Sequence, residues 1–566
     1  MNKLVPPLLC LLATALLPAL RAQSKPEQTA PGPTFTARTE LVLVPAVVTD
    51  HHGAHIPGLS KDDFVLLENG AEQKVASFEE VKPSSAPVRR LNAPTAPLEF
   101  TNLRPPDFQP RRINIIVLDT LNTSFSDQAY ARQQLIHYLS TYIQPDDLTT
   151  LLVFSRTGIK VIHDFTTDTA VLIAALKRQK GRAALTEGVD MGVIATDPLG
   201  AGNLDQQQIQ TEADRLNAIG EHADALAARY DLEYAIHATI DCMEDIARAY
   251  AGIPGRKALI WVTGSFPMML DRPNDPFVSA YQQRRDRMLE DLNSANIAVY
   301  PVDARGLVPD NLSASQSIPR SVLRGGGPAM ANMQRSAALT LQDSLATLSD
   351  VAERTGGRAY FNSNDLVHAF ENASADSSAY YLLGYYIKRG EGKPGWRKLT
   401  VKVKRPGVQV RARSGYFFTR DAQLPDEQRK QEITAALVSP FESTALPMLI
   451  RWTGQSAADQ AGKADRVVDF LLYLDPRTIT VDEADGNQMS LDFVAVATTP
   501  ELKNAATISQ DFRAHLKPDS LARLRSTGIT YHNQLKLPAG EYSVKFVVRD
   551  NLDGRVGSVT APLKVQ

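Results

Sequence analysis

The chain has 566 residues, 43% of them hydrophobic and 22% charged, which at roughly 150 residues per domain is enough for three or four domains with cores of their own. Its 61 basic and 63 acidic residues leave a net charge of −2, so charge gives no reason to expect nucleic acid or an anionic membrane as partner. Two cysteines, Cys10 and Cys242, exclude a disulfide-framework protein.

Residues 1–22 carry Lys3, an apolar stretch from Leu4 to Leu20 and then Arg21-Ala22, the layout of a signal peptide with cleavage after Ala22. The mature chain is therefore expected to be exported, to the periplasm or beyond the cell. Pro7-Leu8-Leu9 before Cys10 lacks the small residue a lipid anchor requires, and no later stretch reaches the ~18 apolar residues of a membrane span. Cys242 falls on the apolar side of a helical pattern with Ile236, Ile240, Met243 and Ile246 and reads as a buried, inert thiol.

Residues 23–39 are polar, proline-rich and without period, a flexible leader. Residues 40–82 show short strands around the turns His51-His52-Gly53 and Glu68-Asn69-Gly70, with Ser60 to Asp63 shaped as a capping box. Four short strands make a thin core, so they are expected to pair with strands elsewhere, and residues 378–418 supply candidates: Tyr380 to Tyr386, Leu399 to Lys404 and Val408 to Arg413. Residues 83–111 read as a proline-rich linker. Between lies residues 112–377, where strands (Ile113 to Leu118, Thr149 to Phe154, Lys257 to Val262, Ile297 to Val302, Arg358 to Phe361) alternate with helices (Asp127 to Tyr142, Asp168 to Arg178, Leu232 to Tyr250, Phe277 to Ala295, Leu339 to Thr355, Asp365 to Ala375). That alternation predicts a doubly wound, mostly parallel α/β sheet inserted in a β-sandwich. Residues 419–445 read as a linker with one helix. Residues 446–566 read as an all-β, immunoglobulin-like unit, with Asp485-Gly486 and Asp553-Gly554 as hairpin turns and Tyr542 placed for a tyrosine corner.

The run Ile113 to Leu118 ends on Asp119, followed by Asn122, Thr123 and Ser124. In open α/β sheets ligands bind outside the carboxyl ends of the strands, so Asp119, Asn122, Thr123, Ser124 and Asp303 are candidate ligand-binding residues. The competing reading is a turn that caps the next helix. Three long connections, Gly181 to Asp231, Gly264 to Pro276 and Asp303 to Ala338, are expected to crowd the same face. His51, His52 and His55 suit a soft metal in type but read better as a solvated turn, and Asp482, Asp485, Asp550 and Asp553 read as turn acids because they lack the spacing of a calcium loop. No zinc-protease, nucleophile-elbow, P-loop or dinucleotide motif occurs.

Several blocks together resemble the bacterial von Willebrand factor A (VWA)-related domain family of exported proteins: Val48-Thr49-Asp50 with Gly53, Gly58-Leu59 and Asp63-Phe64; Glu68-Asn69-Gly70; Val117-Leu118-Asp119-Thr120; Ala251 to Lys257 running into Leu259 to Val262; Val302 to Gly306; and Tyr381 to Tyr385 with Ser414 to Phe417. They span residues 40–418. The resemblance implies a VWA fold and partner binding through a metal-ion-dependent adhesion site, in which oxygen ligands hold Mg2+. Asp119 and Thr123 would be its ligands here, and the helical Thr239 the counterpart of a loop threonine. The site is degenerate, because Leu121 and Thr123 stand at the two serine positions and Thr263-Gly264-Ser265 has no acid. The expected function is non-enzymatic binding of a protein or cell-envelope component. The alternatives are a secreted hydrolase using Asp119, Asp303 and His163, and a purely structural envelope scaffold.

Overall fold

The computed structural model describes residues 39–82, 97–102, 112–144, 146–179, 212–266, 276–306, 342–388, 395–418, 425–457, 465–483 and 485–566. The expected signal peptide and leader, and most of the three long connections, lie outside them.

The chain is a mixed α/β protein. Strands β1 (Thr39–Thr49), β2 (Phe64–Glu68), β3 (Ala71–Gln73) and β4 (Ser77–Val81) come first, with a single 3-10 turn at Lys61–Asp63 closed by the Ser60/Asp63 capping box. After β5 (Glu99–Thr101) the chain enters β6 (Arg112–Asp119), helix α1 (Phe125–Thr141), β7 (Asp147–Ser155), β8 (Gly158–Thr166), α2 (Thr169–Arg178), the long α3 (Glu212–Tyr250), β9 (Lys257–Thr263), α4 (Pro276–Ser294) and β10 (Ile297–Asp303). These strands form one sheet in the order β10-β9-β6-β7-β8, parallel except for the β7–β8 hairpin. Strand β6 is central and buried on both faces, as its unbroken Ile-Ile-Val-Leu run requires. On one face Ile115 and Val117 pack with α3 and α4; on the other Ile116 and Leu118 pack with α1, α2 and helix α6 (Leu366–Ala375). Residues 342–355 form α5, and Tyr360 makes an isolated bridge to Val302 where a strand had been expected.

The strands that follow return to the first segment. β11 (Tyr380–Lys388) pairs with β1 and β4, β13 (Gln409–Ala412) with β1, and β12 (Gly395–Val403) with β2 and with β14 (Gly415–Phe418). Residues more than 300 positions apart thus share one core, Val44, Val48, Phe64 and Leu66 with Tyr381, Leu383 and Tyr385. The alternation of Tyr380 to Tyr386 divides its tyrosines: Tyr381 and Tyr385 fill that core, Tyr386 faces solvent, and Tyr380 accepts from Arg256 N at 3.1 Å on the α/β side.

Helix α7 (Asp426–Val438) is no free linker. It packs Ile433 and Ala436 on Val547 and Val556, and its Glu432 accepts from Arg549 Nε at 2.8 Å. Strands β15 (Met448–Ala457), β16 (Asp465–Leu474), β17 (Gln488–Thr498), β18 (Asn504–His515), β19 (Ile529–Pro538), β20 (Gly540–Asp550) and β21 (Val556–Val565), with α8 (Pro518–Thr527), complete the chain. They form two antiparallel sheets, β19-β16-β15-β5 and β18-β17-β20-β21, over a shared core. The edge strand β5 corrects the expected linker: Glu99–Thr101 belong to this sheet. Asn102, buried, fixes the junction by donating to Ser443, Leu446 and Ser558 carbonyls and accepting from Met448 N.

Candidate functional site

Asp119 ends β6 at the carboxyl edge of the sheet, level with Thr263 on β9, and Asp303 ends the next strand out. The placement is as expected; the exposure is not. Asp119 is only 1% exposed. Its Oδ1 accepts from Leu121 N (3.0 Å) and Asn122 N (2.9 Å), and its Oδ2 from Asn122 Nδ2 (2.8 Å), Trp261 Nε1 (3.1 Å) and Thr263 Oγ1 (2.9 Å). A carboxylate offers about four lone-pair sites, so these donors saturate it. Burial pushes its pKa up, and the Asn122, Thr263 and Trp261 hydrogen bonds pull it back.

The other candidate residues are also held by hydrogen bonds, although Asn122 Oδ1 is buried without a partner. Asn122 is buried, and its amide also donates to Thr239 Oγ1 at 3.1 Å, while that hydroxyl donates to Ala235 O. Thr123, buried, accepts from Gly264 N at 2.8 Å. Ser124 caps α1, accepting from Asp127 N and donating to Asp127 Oδ2. Asp303, also buried, accepts from Arg305 N, Nε and Nη2, the last two as a bidentate pair at 2.8 and 2.9 Å. The turn-and-cap reading therefore describes these residues, and the expectation of a solvent-facing acid is corrected.

The same geometry bears on Mg2+. Asp119, Asn122 and Thr239 do come together, but an amide N–H group sits between the two oxygen groups and presents its hydrogens to both. A hard cation needs oxygen lone pairs at about 2.1 Å; those of Asp119 are occupied, and the one buried oxygen here without a hydrogen-bond partner is Asn122 Oδ1, a single neutral ligand. Among the described residues no group of three His, Cys, Asp or Glu is arranged to hold a metal. The donor set at Asp119 and Thr123 does not fit the ion.

The hydrolase trio is not assembled. His163 lies on the edge strand β8 opposite Leu151, three residues before Phe154, which is opposite Asp119. That is about 10 Å along the strands and about 10 Å across them, and the exposed imidazole meets Asp164 O instead. His51 and His52 are exposed in their turn, and His55 stacks on Tyr381 beside Glu80. Cys242 is buried, with its thiol pKa raised by burial. Asp550 and Asp553 hold turn N–H groups and Arg555.

Sequence reasoning missed two features of this end. Trp261 and Thr263, from a strand about 140 residues away, supply the decisive donors; the available signal is an indole N–H, which needs an acceptor when buried, inside an otherwise aliphatic strand. Exposed aromatics also occur nearby in the chain: Phe125 (55% exposed) starts α1 directly after the loop, and Tyr230 (67%) and Tyr234 (42%) precede Thr239 on α3. Tyr234 donates to Arg156 O in the β7–β8 turn at 2.5 Å. Residues 212–231, expected as loop, are the first half of α3, and Leu232 of that helix packs in the core.

No family model and no curated protein matches the chain. Among solved structures, 31 chains match. One is the crystal structure of the SpRpn10 VWA domain, 11% identical, covering 40% of this chain and 82% of that chain, with a TM-score of 0.16. A likeness at that score carries no argument about function. Among the described residues no helix is long and apolar enough to cross a membrane.

Proposed function

We propose that this is an exported, non-enzymatic binding protein with a VWA-like α/β unit and an immunoglobulin-like C-terminal unit, which grips a protein or envelope component at the carboxyl end of the central sheet without a metal. The observation that carries this reading is the set of exposed aromatic side chains, Phe125, Tyr230 and Tyr234, at an end of the sheet where the Asp119 carboxylate is already saturated by internal donors. Exposed aromatics have large areas to desolvate and dominate protein interfaces, whereas a saturated carboxylate offers a partner nothing. The tyrosine corner, with Tyr542 Oη donating to Pro538 O at 3.0 Å, supports the immunoglobulin-like reading.

The structural-scaffold reading has its own support. The units are fastened by buried contacts: Thr444 Oγ1 accepts from Gly252 N and donates to Ala249 O, and Asp376 takes Arg411 and Tyr300 together. Capture from an envelope extract separates the two. The immobilised chain should retain a component in EDTA and lose it when Phe125→Ser and Tyr230→Ser are combined. Retention unchanged in the double variant removes the aromatic rim from the account and favours the scaffold; loss in EDTA contradicts metal-free binding.

A further inference from the structure

A groove of about 470 Å³ runs between α1 and α6, lined by His137 and Tyr142 on one side and Asp365, Val367, His368 and Glu371 on the other. It lies on the solvent side of these helices, apart from the Asp119 loop, and its volume falls within the usual range for small-molecule sites. We propose that it binds an organic ammonium ion of polyamine size.

The charge of the lining selects the class. Asp365 and Glu371 are carboxylates, and neither lysine nor arginine lines the groove. An anion would meet two like charges with no fixed cation to offset them. The positive end of α6 is no refuge for one either, because Asp365 already caps it, accepting from His368 N at 2.9 Å. The rings select the kind of cation. Tyr142 is 37% exposed and packs edge-on against His137 at 6.1 Å, leaving flat aromatic surface along one wall, and such faces attract ammonium groups. Val367 gives the methylene chain an apolar contact. A bare metal ion is the poorer fit: His368 Nδ1 lies 3.9 Å from Glu371 Oε2, yet no third ligand joins them among the described residues.

Calorimetric titration of spermidine into the full chain at low ionic strength tests this. One saturable site is expected, with Glu371→Gln and Tyr142→Ala each weakening it about threefold to tenfold, high salt weakening it further, and a diol of similar length giving no heat. Both residues are at the surface, so both variants should melt with the wild type, and a melting curve checks that they fold. Absence of saturable binding overturns the proposal. So does unchanged affinity in both variants, which would put the amine elsewhere, or equal binding of the diol, which would make charge irrelevant.

Discussion

The side-chain amide of Asn122 lies 2.8 Å from Asp119 Oδ2, and the same nitrogen reaches Thr239 Oγ1 on α3 at 3.1 Å. One neutral group thus ties the central strand to the long helix, at a place where the sequence pattern pointed to a cation. Asp119 follows as an organiser of the sheet's carboxyl edge, reading β6, its own turn and β9 at once.

Replacing Asp119 should therefore cost stability. In Asp119→Ala the indole N–H of Trp261 and the backbone N–H groups of Leu121 and Asn122 lose a buried acceptor, while Thr263 Oγ1 and the Asn122 amide keep Ser265 O and Thr239 Oγ1. At about 1–3 kcal/mol for each unsatisfied buried group, a loss of about 3 kcal/mol or more is expected. Since ~1 kcal/mol moves the melting point of a domain this size by about 2–4 °C, calorimetry should show a drop on the order of 10 °C. Asn122→Ala should produce a smaller drop in the same transition. A variant of Asp119 that melts with the wild type would show that the network does not bear on stability.

Lys257 opens β9 with its ammonium buried, donating to Ile253 O (2.6 Å) and Gly255 O (3.0 Å). Burial lowers its pKa from 10.5 to about 7. Between those values the unfolded chain holds a proton that the folded chain has released, so this residue's contribution to stability rises with pH from about 7 to about 10.5 and is lost as pH falls to 7. Melting wild type and Lys257→Met in parallel should show the wild type gaining on the variant across that window. A pH-independent difference would mean that the lysine stays charged in the fold.

Asp291 on α4 behaves in the opposite sense. Burial first, and then the negative charge of Glu244, raise its pKa from 3.8 to about 8, against the pull of Arg248, with Glu290 and Glu432 adding to the rise. The folded chain keeps a proton that the unfolded chain has lost, so the contribution is full below about pH 4 and disappears as pH rises through 8. Asp291→Asn, which cannot ionise, should gain on the wild type steadily from pH 5 to about pH 8 in the same melts and level off above it. A constant difference would contradict the assignment.

The seam to the C-terminal unit has a specific weak point. A Cβ on Gly252 would sit 1.9 Å from the carbonyl oxygen of Thr444, a contact that only displacement of one chain can relieve. Gly252→Ala should loosen the seam, and limited proteolysis should then cut the connection between α7 and β15 faster than in the wild type. Equal cutting rates would show that the seam yields without opening.

Much of this architecture was legible because it depends on local pattern. The Ile113 to Leu118 run could only be a doubly buried strand, and the alternation at Leu399 to Lys404 required a partner sheet, which β2 supplies. What stayed hidden depends on distant partners. Nothing near Asp119 announces that Trp261 and Thr263 will satisfy it, and the position of an acid at a strand end is the same whether it faces a ligand or its own turn. Glu99-Phe100-Thr101 is too short to show a period and is strand only because β15 offers it an edge. The first half of α3 reads as loop in the sequence because it sits inside a long stretch without strand signals, although Leu216, Ile219, Ala223 and Leu226 keep helical spacing.

The central claim is that the Asp119 carboxylate is fully hydrogen-bonded without a metal. Melting the wild-type chain in EDTA and again in millimolar Mg2+ tests it most directly. The account predicts superimposable transitions; a saturable rise in melting temperature with Mg2+, absent from Asp119→Asn, would contradict it.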